Sequence, residues 1–146
     1  MEDLTATLDK VLHLATLVGA DLARFERESE LTTARTHLLW VLGATGPSTQ
    51  QSLASALGVS ARNVTGLVDG LVSSGHVSRA AHPTDRRATL VTPTAKGEVV
   101  IHSLVEGHGQ LARRLFERVP AERLAVFAAT LDDTIATFTR LMEETQ

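Results

Sequence analysis

Apolar residues return every third or fourth position from Leu4 to about Glu28. Leu4, Leu8, Val11, Leu12, Ala15, Val18, Leu22 and Phe25 fall on one stripe and predict a long amphipathic helix. A second helix is predicted over Thr33–Ala44, with Leu38, Leu39, Val41 and Leu42 inside it, and Gly46 and Pro47 end it. The third opens at Ser48 or Thr49, either of which can cap a helix through its hydroxyl, and stops at Gly58, a residue suited to a left-handed helix end. Ser60 caps a fourth helix whose inner face is Val64, Leu67, Val68, Leu71 and Val72, and Gly75 closes it. Only Gly58, Val59 and Ser60 separate these two helices, the short turn that a helix-turn-helix requires.

The pattern then changes period. Val77 and Arg79 lead into a strand, His82, Pro83, Thr84 and Asp85 supply turn chemistry, and Ala88–Thr92 returns as a second strand. Thr94 can cap a long helix reaching about Arg118, Val119 and Pro120 break it, and Ala121 to about Glu144 forms the last helix. Leu124, Phe127, Leu131, Ile135, Phe138 and Met142 lie along one side of that last helix. The fold expected is mainly α with a small β-hairpin wing: a winged helix-turn-helix with long N- and C-terminal dimerisation helices. It is read as one domain over 1–146, with 33–97 as the DNA-binding lobe and 1–32 and 98–146 as dimerisation helices. The middle unit is too small to cover both terminal stripes, so a second copy is the simplest cover. Dimers of this type place two recognition helices roughly 34–36 Å apart, one turn of duplex.

Charge sharpens this reading. The whole chain is −3, but residues 49–97 carry Arg62, Arg79, Arg86, Arg87 and Lys96 against Asp69 and Asp85, a net +3, while each flank is −3. Positive charge sits where phosphates would be met. There is no cysteine, which removes disulfides and thiolate metal sites and agrees with a reducing cytoplasm. The acidic, then amphipathic, start is unlike a signal peptide, and no apolar run approaches the roughly 20 residues of a membrane span. No nucleophile elbow, phosphate loop or motif-spaced carboxylate pair is present, so no enzyme is expected.

The residues expected to meet DNA fall in three groups. Ala61, Arg62, Asn63 and Thr65, with Ser60 at the cap, face away from the Val64–Leu71 stripe at the N-terminal end of the second helix of the pair. Arginine can read guanine bidentately and asparagine adenine; a capping role with Ser60 is the competing reading for Asn63. Gly66 and Gly70 bare the same helix, either to admit DNA closely or merely at a cost in helix stability. Ser48, Thr49 and Gln50 open the first helix of the pair and suit phosphate oxygens. Arg79, Asp85, Arg86 and Arg87 lie on the wing, where an arginine can enter a narrow minor groove. One arginine is expected to pair with Asp85 and the other to enter the groove.

The segments LASALGVS, RNVTGLVDGLVSSGHVSR and DRRATLVTPTAKG together resemble the multiple-antibiotic-resistance regulator (MarR) family of bacterial transcription factors. Asp85, Arg86, Arg87, Thr94 and Gly97 match the family's wing signature, with Pro93 standing where the family has leucine. The resemblance implies a homodimer with intertwined terminal helices and two winged lobes. It further implies a repressor of a palindromic double-stranded operator, relieved by a small, often aromatic or phenolic, ligand. Arg87 would enter the minor groove while Asp85 and Arg86 support the wing. Thiol sensing through an N-terminal cysteine is not implied, since the chain has none.

Six histidines raise two further possibilities. His37, His102, Glu106 and His108 are the residues to test for a metal-responsive variant of the same fold, although no histidine pair has i, i+4 spacing and no metal or other cofactor is expected. His13, His37 and Trp40 are candidates for lining an effector cavity, against core packing for Trp40. His82 on the wing can touch phosphate. A winged helix that docks protein rather than DNA is the remaining alternative.

Overall fold

The computed structural model describes residues 1 and 3–145. Six helices and one hairpin are present among them: α1 (Leu4–Ser29), α2 (Thr33–Thr45), α3 (Gln50–Leu57), α4 (Ala61–Ser73), β1 (Val77–Ala81), β2 (Thr89–Pro93), α5 (Ala95–Phe116) and α6 (Ala121–Glu144). Helix starts are fixed by side chains that accept otherwise unpaired backbone N–H groups. Asp3 serves α1, Thr32 serves α2, Thr49 serves α3 and Ser60 serves α4. Thr94 caps α5, accepting the Gly97 N–H at 3.2 Å while donating its hydroxyl to the Gly75 carbonyl at 2.6 Å. Gly58 ends α3 at φ 66° and Gly75 follows α4 at φ 80°, backbone angles that glycine reaches without a Cβ clash.

Of the two residues offered as the α3 cap, Thr49 takes the role. Ser48 instead extends the hairpin, its N–H bonding the Val91 carbonyl at 3.1 Å and its carbonyl accepting the Val91 N–H at 2.7 Å. β1 and β2 run antiparallel with Val77 opposite Pro93 and Ala81 opposite Thr89. The second strand is therefore one residue later than the alternation suggests. Proline ends it, where no further ladder donor is needed.

The chain falls into two compact units, 1–104 and 105–146. The first holds the core: Leu38, Leu39 and Leu42 of α2, Leu53 of α3, Val64, Val68 and Leu71 of α4, and Val77 and Val91 of the hairpin are all fully buried. Leu31 and Ile101 join them. Each such side chain contributes about 1.5–3 kcal/mol on burial, so α4 and the hairpin are held as one body with α2 and α3. In the second unit α5 turns into α6 through Val119 and Pro120. The Phe116 and Phe127 rings meet across this turn with centroids 6.3 Å apart.

The terminal helices contrast with that core. Neither α1 nor α6 has a buried residue. Leu4, Leu8, Leu12, Leu17 and Val18 on α1, and Val126, Ile135, Phe138, Leu141 and Met142 on α6, are all at least half exposed. No helix among the described residues is long and apolar enough to cross a membrane.

Candidate nucleic-acid interface

Ser60 sets the first turn of α4 by accepting the Asn63 N–H at 3.1 Å. The cap uses the Asn63 backbone and leaves its side-chain amide without a hydrogen bond among the described residues. Arg62 and Asn63 are exposed. With Ser60, Gly66 and Leu67 they line a shallow open concavity. A β-carbon at Gly66 would meet nothing within 4 Å, whereas one at Gly70 would lie 2.4 Å from the Arg35 guanidinium. The two glycines thus differ. Gly66 opens the outer face of α4, and Gly70 makes room for an α2 arginine rather than for DNA.

The other polar candidates are largely bonded to one another. Thr65 donates its hydroxyl to the Ala61 carbonyl and accepts from Gln50 Nε2, both at 3.0 Å. Gln50 Oε1 in turn accepts from Arg79 Nε at 3.3 Å and Nη2 at 3.2 Å. Arg79 also forms an ion pair with Asp69. α3, α4 and β1 are therefore tied by a side-chain chain, Thr65–Gln50–Arg79–Asp69, across the outer surface of the lobe. Sequence spacing did not reveal this network, because its members are up to 29 positions apart. Ser48 Oγ donates to the Gly46 carbonyl at 2.8 Å, and Thr49 Oγ1 accepts the Ser52 N–H at 3.1 Å.

At the wing tip the expected pairing of Asp85 with an arginine side chain is not what forms. Asp85 Oδ1 accepts the Arg87 backbone N–H at 2.9 Å, and no ion pair links it to Arg86 or Arg87 among the described residues. A carboxylate two residues before an amide bonds it locally at little entropic cost, which a long guanidinium cannot match. Arg86 and Arg87 are both exposed. His82 Nδ1 accepts from the Asp85 N–H at 3.0 Å and the Thr84 N–H at 3.2 Å. The His82 N–H bonds the Ala88 carbonyl at 3.2 Å.

Behind this surface His76 is buried where α4 joins β1, its Nδ1 2.6 Å from Ser74 Oγ. Burial first, and the neighbouring Lys96 charge second, hold its imidazole below the ordinary histidine range. The proposed effector residues are spread over two helices: His13 is exposed on α1, and His37 is exposed and Trp40 half-buried on α2. Neither the concavity on α4 nor a second one on α6, lined by Glu122, Arg123, Val126, Phe127 and Thr130, includes them. His102, Glu106 and His108 lie on α5. Among the described residues no group of three or more His, Asp or Glu side chains is placed to hold a metal ion.

A capped three-turn helix presented by a tight turn, with an arginine-bearing hairpin beside it, defines a winged helix-turn-helix protein. Solved structures share the fold. Streptococcus pneumoniae FabT, determined in complex with DNA, superposes with a TM-score of 0.84 over 95% of this chain and 99% of its own, at 18% identity. Mycobacterium tuberculosis RV1404 does so at 0.67 over 94% and 96%, at 28% identity. The sequence profile of the MarR family matches residues 31–89. The HTH-type transcriptional regulator YfiV of Bacillus subtilis is 31% identical over 120 residues, 80% of this chain and 75% of that protein. The repressor YetL of the same bacterium is 31% identical over 81 residues, 56% of this chain and 48% of that protein. The chain belongs to the MarR family of DNA-binding transcriptional regulators.

Proposed function

We propose that the protein is a homodimeric repressor that reads a palindromic operator. In this reading Arg62 and Asn63 of α4 meet base edges in the major groove, and Arg86 and Arg87 of the wing lie along the minor groove. Ser48, Thr49 and Gln50 at the start of α3 position the backbone. The observation that carries it is the pairing of a capped, exposed Arg62–Asn63 turn with a wing tip at which, among the described residues, neither Arg86 nor Arg87 is paired with a carboxylate. FabT, of the same fold, was solved on DNA, and YetL is named a repressor; both agree with the reading. The dimer rests on α1 and α6, neither of which has a buried residue among the described ones, and residues 1–32 and 98–146 are assigned to it.

Selection of duplexes from a random-sequence pool by the purified protein tests the reading. An inverted repeat with half-sites about one helical turn apart is expected; enrichment of no sequence overturns it. Sedimentation of Phe138→Asp against the parent chain tests the dimer: the charge should shift the population towards single subunits, and an unchanged mass removes α6 from the interface. Relief of repression by an aromatic acid is read at His13, His37 and Trp40. Trp40 is the single tryptophan, so its emission should change on titration with such an acid and stay constant if the site is elsewhere.

A further inference from the structure

We propose that His82 is a positioning residue for DNA binding, its ring acting as the internal scaffold that shapes the wing tip. This rests on the reading of Arg86 and Arg87 as DNA contacts. The tip, residues 82–88, has almost no core of its own: Pro83, Thr84, Asp85, Arg86 and Arg87 are all exposed. Its shape must come from local hydrogen bonds. Asp85 fixes Arg87 through the Arg87 N–H, and the Ala88 N–H closes on the Asp85 carbonyl at 3.2 Å. Both bonds depend on where Asp85 itself lies, and His82 sets that. Nδ1 accepts the N–H groups of Thr84 and Asp85, with the Thr84 hydroxyl at 3.4 Å.

Backbone N–H groups only donate, so Nδ1 carries a lone pair. The hydrogen of the neutral ring is therefore assigned to Nε2. The imidazole does here what an asparagine or aspartate does in an Asx turn, accepting from amides two and three residues ahead. One consequence distinguishes this role from simple space filling. An asparagine, whose Oδ1 sits near the place of Nδ1, can replace the ring. A glutamine, whose acceptor reaches the Nε2 place instead, cannot.

The test compares the parent with His82→Asn, His82→Gln and His82→Ala. Two readouts are used: trypsin cleavage after Arg86 and Arg87 without DNA, and affinity for a fluorescent duplex enriched by the parent protein. At pH 7.5 the Ala and Gln variants should be cut several-fold faster and bind roughly tenfold more weakly, as the loss of two backbone hydrogen bonds implies, while Asn matches the parent on both counts. Ala or Gln variants that match the parent, or an Asn variant that behaves like the Ala variant, overturn the proposal. A parent that binds no duplex would sink the DNA reading instead, and the protease arm would still decide whether His82 orders the tip.

Discussion

Gly97→Ala tests whether the join between the wing and α5 is set by contact distance. A β-carbon there would lie 2.0 Å from the His76 carbonyl oxygen, 3.1 Å from its carbonyl carbon and 3.4 Å from Pro93 Cβ. Carbon and oxygen pack no closer than roughly 3.3 Å, so the carbonyl must retreat by more than about 1 Å or α5 must shift by as much. The same oxygen accepts the Thr94 N–H at 3.0 Å, and that bond is stretched by either movement. Overpacking of this kind costs about 1–3 kcal/mol, and the weakened bond adds up to about 1 kcal/mol. Against this, alanine favours a helix over glycine by up to about 1 kcal/mol. The net expectation is a loss of about 1–3 kcal/mol. Gly66→Ala has the propensity gain and no clash, so it should stabilise by about 0.5–1 kcal/mol. Its methyl also enters the α4 concavity, so duplex affinity should fall while stability rises. Gly70→Ala is intermediate, because the Arg35 guanidinium it meets ends a flexible side chain and can swing aside. Urea unfolding at one fixed protein concentration measures all three, since the stability of an assembling chain depends on that concentration. A Gly97→Ala variant as stable as Gly66→Ala would refute the argument.

Three further outcomes are expected. Because His76 is held below its ordinary range when folded, the unfolded chain takes up the proton first: stability is full above about pH 6.5 and falls as pH drops towards the folded value. Urea midpoints at pH 7.5 and 5.5 check this, and His76→Gln should show the smaller fall. Asp69→Asn removes an ion pair in which Arg79 is one-third and Asp69 three-fifths exposed, so stability should change by no more than about 0.5 kcal/mol while duplex affinity drops as Arg79 and Gln50 lose their anchor; equal affinity would show that the network does not shape the interface. Arg62→Ala should cost about 1–3 kcal/mol, concentrated at one base position in a repeated selection experiment, whereas a uniform loss on every sequence would mark a phosphate contact.

Much of the fold was legible in the chain because its signals are local. The α1 stripe, the Ser60 and Thr94 caps, and glycines at 58 and 75 each act within a few residues. The elements they delimit begin and end within two positions of the expected ends. What could not be read was long-range. Ser48 has the composition of a helix cap, yet it pairs with Val91, a choice made by the packing of the hairpin on α2 and α3. Gly70 looks like an open position on α4 until Arg35 is placed over it. Asp85 next to two arginines suggests an ion pair, but its nearest donor is the backbone amide two residues on.

That distinction also decides which candidates carry sequence information. A side chain can report a base only if its polar atoms remain to be satisfied when DNA arrives. Gln50, which on residue type alone is a reader of adenine, has its oxygen on Arg79 and its nitrogen on Thr65. Thr65 gives its hydrogen to Ala61. To read adenine bidentately, Gln50 would first have to release its oxygen from Arg79, breaking bonds that tie α3 to β1. Arg62 and Asn63 face no such cost, because the cap that orders their turn is made by Ser60 and by the Asn63 backbone. On the proposed function the interface divides its labour: the network of Thr65, Gln50, Arg79 and Asp69 ties helix to wing, and specificity falls to Arg62 and Asn63. Selection with Gln50→Ala should therefore weaken binding without changing the preferred sequence, and a changed preference at one base would show that Gln50 leaves the network to read it.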